Sequence, residues 1–130
     1  MRKLILATVF VVALSGAAAA QAGGSQSSSD IPNMGRAPLQ ENGVGKLDAR
    51  VSDESGNPVK GVYLKLESSR SDGFFCESWN TTDERGVAVL PPLHMGRLRL
   101  IVKAKGYYDQ KLDVDASTLG EPYRVTLKKK

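Results

Sequence analysis

The 130-residue chain carries 18 Lys and Arg against 14 Asp and Glu, with one histidine and one cysteine. That length suits one domain. A single cysteine excludes an internal disulfide, and a single histidine excludes any metal or catalytic centre built from several imidazoles.

The chain opens as an address rather than as structure. Arg2 and Lys3 form a short positive region, Leu4 to Leu14 follow without a charge, and small residues lead to Ala20-Gln21-Ala22. This pattern predicts a signal peptide over 1–22, cut after Ala22. An uncleaved anchor is the alternative, but the uncharged stretch is at the lower limit for a membrane span. Cleavage takes away two positive charges and no acid, so the net charge falls from +4 to +2. The expectation is export to a periplasm or the medium, with no stable membrane insertion afterwards. Nucleic acid is excluded as a partner by that location.

Residues 23–43 read as a flexible, disordered linker. Gly23-Gly24-Ser25-Gln26 and Ser27-Ser28-Ser29 have no apolar periodicity, and Pro32, Gly35, Pro38 and Gly43 punctuate the rest. Such a stretch has little apolar surface to offset its ordering entropy.

From residue 44 to 130 the pattern is that of one β domain. In Lys46 to Ser52, Leu47, Ala49 and Val51 alternate with Lys46, Asp48 and Arg50, which predicts a half-buried strand. Asp53 to Pro58 is a turn. Val62, Leu64 and Leu66 alternate with Tyr63, Lys65 and Glu67 in a second strand, and 68–73 reads as a polar loop. A third strand covers Phe74 to Thr81. The turn Thr82-Asp83-Glu84-Arg85-Gly86 leads to Val87 and Val89, and Pro91-Pro92 ends that strand. Leu98, Leu100 and Val102 alternate with Arg97, Arg99 and Lys103 in a fifth. Leu112 and Val114 mark a sixth, and Tyr123, Val125 and Leu127 a seventh. Seven short strands at even spacing, without helical periodicity, predict an all-β sandwich or barrel.

Four phrases in order carry a family likeness. Gly45 to Asp53 followed by Gly56-Asn57-Pro58-Val59-Lys60-Gly61-Val62 is similar to "G-x-V-x-D-x-x-G-x-P-V-x-G-V". Thr81-Thr82-Asp83-Glu84-Arg85-Gly86 matches "T-T-D-x-x-G". Pro91 to Gly96 is similar to an "L-P-x-G" approach, and Leu98 to Tyr107 matches "L-x-V-x-A-x-G-Y". Over about residues 44–127 the chain resembles the carboxypeptidase regulatory-like domain. That resemblance implies a transthyretin-like, seven-stranded antiparallel Greek-key β-sandwich. It also implies a non-catalytic role, since such domains brace, space or dock neighbouring domains, and some relatives sit in carbohydrate-binding proteins.

The residues offer no reactive centre. A zinc peptidase needs histidine and carboxylate ligands at fixed spacing, and only His94 exists. Ring-opening hydrolases on the transthyretin fold use several histidines. Ring-cleaving iron dioxygenases on a related sandwich need two histidines with two tyrosines. No catalytic residue, cofactor or metal is therefore expected.

Two surface features remain. In the third strand Phe75, Glu77 and Trp79 share one face while Phe74, Cys76 and Ser78 share the other, so one aromatic side must turn away from the core. Arg97, Arg99 and Lys103 form a basic stripe, to which Lys46, Arg50 and Arg124 would add if their strands adjoin. Phe75, Trp79, Arg97, Arg99 and Lys103 are thus the candidate contact residues. The expected partner is another envelope or secreted protein, with a glycan stacked on Phe75 and Trp79 as the alternative.

Overall fold

The computed structural model describes residues 31–130. The expected signal peptide and the first part of the expected linker lie outside the described residues.

Among the described residues nine strands and one 3-10 turn follow in order: β1 (Val44–Gly45), β2 (Asp48–Ser52), β3 (Tyr63–Ser69), β4 (Phe75–Thr81), β5 (Val87–Val89), β6 (Leu93–His94), β7 (Arg97–Lys103), β8 (Gln110–Val114), the turn Ala116–Thr118, and β9 (Tyr123–Thr126). The described residues contain no α-helix, and none of their helices is long and apolar enough to cross a membrane. The strands form a four-stranded sheet in the order β4-β3-β7-β8, a three-stranded sheet β5-β2-β9, and the small pair β1-β6.

The sheets turn apolar faces to one core. Leu64 and Leu66 of β3 and Leu98, Leu100 and Val102 of β7 join Leu47, Ala49 and Val51 around β2 and Val125 and Leu127 around β9. Two sheets sharing one core is the layered arrangement of a sandwich. Leu90, Met95 and Leu119 from the connections are also fully covered.

Two details differ from the expected seven-stranded antiparallel set. The pair β1-β6 matches only Val44 with His94 and Gly45 with Leu93, too short for a period-two signal. And β9 runs parallel to β2, from Ala49 opposite Tyr123 to Ser52 opposite Thr126. The connection through Ala116–Thr118 brings the chain out of the four-stranded sheet and back alongside β2 in β2's own direction. Strand β3 also runs to Ser69, two residues into the expected polar loop, because the Ser68 hydroxyl is buried and paired: it donates to the His94 carbonyl at 2.8 Å and accepts from Gly96 N–H at 2.8 Å.

The turns use their side chains as expected of Asp and Gly. Asp83 Oδ1 accepts from Arg85 N–H at 2.8 Å and Val87 N–H at 3.1 Å. Gly86 closes that turn at φ 74°, and a Cβ there would collide with the Val51 carbonyl oxygen.

The largest correction concerns β2 and the linker. Asp48 and Arg50 were expected on a solvated face, yet both are buried, at 0% and 3% exposure. Residues 31–36 cover them. Ile31 is buried, Met34 N–H donates to Asp48 Oδ2 at 2.8 Å, and Arg50 Nη2 donates to the Ile31 and Pro32 carbonyls at 3.3 and 3.1 Å. Arg36 and Lys46 exchange backbone bonds at 2.8 and 2.9 Å, and Asn33 Nδ2 donates to the Gly120 carbonyl at 2.9 Å. Residues 31–36 therefore form a strap rather than a flexible tether. Backbone bonds and charge hold it where apolar periodicity is lacking. Beneath it Arg50 Nε and Nη2 grip the two Asp48 oxygens at 2.7 and 2.8 Å. That bond raises the Arg50 pKa, against the opposing effect of burial.

Candidate functional site

Among the described residues nothing covers the outer face of the four-stranded sheet in this way. Register places its side chains in four rows. Phe75, Ser69 and Arg97 form the first; Glu77, Glu67, Arg99 and Asp113 the second; Trp79, Lys65, Ile101 and Lys111 the third; Thr81, Tyr63 and Lys103 the fourth. All five candidate residues thus lie on one face. The alternation in β7 puts Leu98, Leu100 and Val102 inward and the three cations outward.

Strand β4 resolves its own ambiguity unexpectedly. The small side is the inner one: Ser78 is buried and Cys76 half-buried, while Phe75 and Trp79 remain 52% and 56% exposed. The Cys76 thiol lies 3.4 Å from the His94 carbonyl, and Asn80 Nδ2 donates to the Val89 carbonyl at 2.8 Å. Small inner side chains let β4 approach the β5-β6 region closely. Phe74, just before the strand, is 60% exposed, and Arg70 stands 5.4 Å from its ring centroid.

Charge on this face is unevenly neutralised. Glu67 and Glu77 oppose each other across β3 and β4, an unfavourable like-charge pair that Lys65 offsets from 3.4 and 3.8 Å. The bond to Glu67, then the charge of Glu77, raises the Lys65 pKa. Among the described residues neither Arg97 nor Arg99 has a side-chain hydrogen bond or ion pair. A depression of about 370 Å³ lies among Glu67, Ser69, Arg97, Arg99 and Asp113.

Lys46, Arg50 and Arg124 do not extend the stripe. Arg50 is buried beside Asp48, Arg124 pairs in register with Arg50 in the three-stranded sheet, and Lys46 pairs with Arg36. Their strands do not adjoin β7. Sequence reasoning placed Tyr63 and Lys65 outward but did not read them as site residues. It missed a second hollow, a cleft of about 660 Å³ at the end of the sandwich between 38–42, 69–71, 95–97 and 114–117. Its walls come from four separate connections, so no local motif announces it.

His94 sits at this end in the two-residue strand β6 rather than in a loop, its Nδ1 2.9 Å from the Asn42 carbonyl. Among the described residues no three His, Cys, Asp or Glu side chains gather to hold a metal.

No protein-family model matches the chain, and no curated protein matches it in sequence. Among solved structures it is similar to a 3-chlorocatechol 1,2-dioxygenase from Rhodococcus opacus 1CP, at a TM-score of 0.52 and 17% identity, over 93% of this chain and 79% of that one. At this identity the likeness speaks for the all-β fold alone. An iron site of two histidines and two tyrosines does not fit these residues: His94 is the one histidine, and Tyr63 lies on the open sheet face at the row of Lys103.

Proposed function

We propose that this chain is an exported, non-enzymatic interaction module: a transthyretin-like Greek-key sandwich of the carboxypeptidase regulatory-like kind. It docks on another envelope or secreted protein through the outer face of its four-stranded sheet. The observation that carries this reading is the open face itself. Phe75 and Trp79 expose more than half their surface there, beside Arg97 and Arg99, which lack partners within the described residues. Exposed aromatics with arginines are the side chains that dominate protein interfaces when covered. The sequence phrases support the family, and the single histidine supports a role without metal chemistry.

Crosslinked pull-down from native envelope, repeated with Trp79→Ala, tests it. One reproducible protein partner, lost in the variant, supports docking. A purified chain that turns over a substrate, or a partner indifferent to Phe75 and Trp79, contradicts it.

A glycan is the second reading. It is favoured by the spacing of Phe75 and Trp79, four residues apart on one strand face and so about 13 Å apart. Two exposed rings on one sheet face offer a stacking platform for sugars. Binding to a panel of cell-wall and plant polysaccharides, abolished by Trp79→Ala, would select it.

A further inference from the structure

The two larger sheets end in edge strands, β4 and β8 in one, β5 and β9 in the other. An edge strand leaves a row of backbone groups unpaired. Three of these edges are guarded by the chain's own groups. At β5, Asp83 Oδ1 accepts from Val87 N–H at 3.1 Å, Asp83 N–H donates to the Val87 carbonyl at 3.0 Å, and Asn80 Nδ2 donates to the Val89 carbonyl at 2.8 Å. At β9, Gln110 Nε2 donates to the Thr126 carbonyl at 2.8 Å and Tyr108 N–H to the Lys128 carbonyl at 2.9 Å. At β8, the pairing leaves Lys111 and Asp113 on the free side, and charged side chains deter a further strand.

Strand β4 is guarded at one end alone. Thr82 N–H donates to the Val62 carbonyl at 3.0 Å and Arg70 N–H to the Phe74 carbonyl at 2.8 Å. These bonds bracket the β3-β4 ladder and set its parity. Even-numbered residues of β4 bond to β3, while Phe75, Glu77, Trp79 and Thr81 point N–H and C=O toward the free edge. Asn80 Oδ1 takes the Thr81 N–H at 2.8 Å. Among the described residues nothing bonds the outward groups of Phe75, Glu77 or Trp79. The contacts of β4 with the His94 and Val89 carbonyls leave through Cys76 and Asn80, whose side chains alternate to the inner face. An open edge flanked by exposed rings is a template for an added strand, and an antiparallel one answers both groups of each outward residue from the residue opposite.

Charge chooses the occupant. The symmetric register in which a second copy would fill Phe75, Glu77 and Trp79 sets Glu77 against Glu77, an unfavourable like-charge pair. Glu77 already shares the Lys65 ammonium with Glu67, at 3.8 and 3.4 Å. A strand with a cation opposite Glu77 supplies the missing positive charge instead. Beside the rings of Phe75 and Trp79, each more than half exposed, apolar side chains form favourable cross-strand pairs.

We infer that the edge of β4 takes an extended segment of the partner as an added antiparallel strand, with apolar side chains opposite Phe75 and Trp79 and a lysine or arginine opposite Glu77. The inference rests on the protein-docking reading above and adds what the partner presents.

The test uses the purified chain, isotope-labelled, with the peptides Ac-SVTKTVS-NH2 and Ac-SVTETVS-NH2. In the free chain the amides of Phe75, Glu77 and Trp79 exchange with solvent faster than those of Cys76 and Ser78. The Lys peptide slows these amides and leaves those of Lys111 and Asp113 unchanged. The Glu peptide binds about fivefold more weakly, as exchanging an opposite for a like cross-strand charge requires. Glu77→Gln removes that difference, and Glu77→Lys reverses it. N-methylation of the peptide lysine, whose N–H faces β4, abolishes binding, while N-methylation of either threonine does not.

Equal binding of the two peptides, undiminished binding of the lysine-methylated one, or protection of the edge amides before any peptide is added overturns the inference. So does a concentration-dependent dimer in which the same amides become protected. A partner captured from envelope through Trp79, with the amides of Phe75, Glu77 and Trp79 unmoved by either peptide, overturns strand addition and leaves the docking reading standing. Lys-selective binding along β4 with no protein held at Phe75 and Trp79 has the opposite meaning.

Discussion

Strands β2 and β7 read alike and end differently. Both alternate apolar residues with charge: Leu47, Ala49 and Val51 with Asp48 and Arg50, and Leu98, Leu100 and Val102 with Arg97 and Arg99. Yet Asp48 and Arg50 are buried, while Arg97 and Arg99 are exposed. Alternation says only which side chains share a face; whether that face is wet depends on what else lies over it. The charges themselves mark the difference. Asp48 and Arg50 stand two apart on one side with opposite signs, so they neutralise each other under the strap at 2.7 Å. Arg97 and Arg99 carry one sign, and burying them would need a partner's carboxylates. The first arrangement suits a closed face, the second an open one.

The sharpest way to break this comparison is to remove one charge from each strand. Arg50→Met strands Asp48 beneath residues 31–36 and costs about 3–5 kcal/mol, whereas Arg99→Met stays within about 0.5 kcal/mol. Urea unfolding of both variants measures this, and equal effects would deny that the two faces differ. Next comes binding. Trp79→Ala weakens partner affinity by about 2 kcal/mol or more, roughly thirtyfold, with stability unchanged, read by calorimetric titration and thermal melting together.

A smaller effect separates two glycines. A Cβ on Gly35 meets the carbonyl oxygens of Lys46 and Leu119 at 3.0 and 3.1 Å, and the Asp48 nitrogen at 3.1 Å. Gly35→Ala thus pushes the strap off β2 and costs about 1–3 kcal/mol in urea. Gly120→Ala, with open space around it, is silent.

The smallest effect is acid sensitivity at the turn after β2. Bonds to the Asp53 carboxylate, foremost from Asn57 N–H, hold its pKa below the ordinary 3.8. A depressed folded value means the turn's contribution is present above pH 3.8 and is lost as pH falls through the lower folded value. The melting difference between the parent chain and Asp53→Asn is therefore largest at neutral pH and shrinks as the pH falls below 3.8.

How much was legible follows the same physics. Period-two runs located the longer strands except β4, which was read from its aromatic and β-branched residues, and their apolar positions form the core, with Val89 and Leu112 only half-buried. The two-residue strands β1 and β6 carry too few positions to show a period. The parallel match of β2 with β9 depends on a long return of the chain, which no local pattern encodes. The strap was hidden because its order comes from carbonyls and N–H groups, which every sequence has, and from Ile31 alone among its apolar residues as a buried anchor.

On the open face, the sequence gathered Arg97, Arg99 and Lys103 correctly onto one strand side but added Arg50, whose fate was decided by its neighbour Asp48. It presented two choices for β4. The outcome, Trp79 out and Ser78 in, runs against hydrophobicity and follows from how closely the inner side must approach β6 and the Val89 carbonyl.

Photo-crosslinking from single positions tests the difference between the faces most directly. A crosslinker at Thr81, on the open sheet, and one at Thr126, on β9, are compared in native envelope. The proposed docking surface yields one discrete protein adduct from Thr81 and none from Thr126. The same adduct from both positions, or one from Thr126 alone, would contradict it.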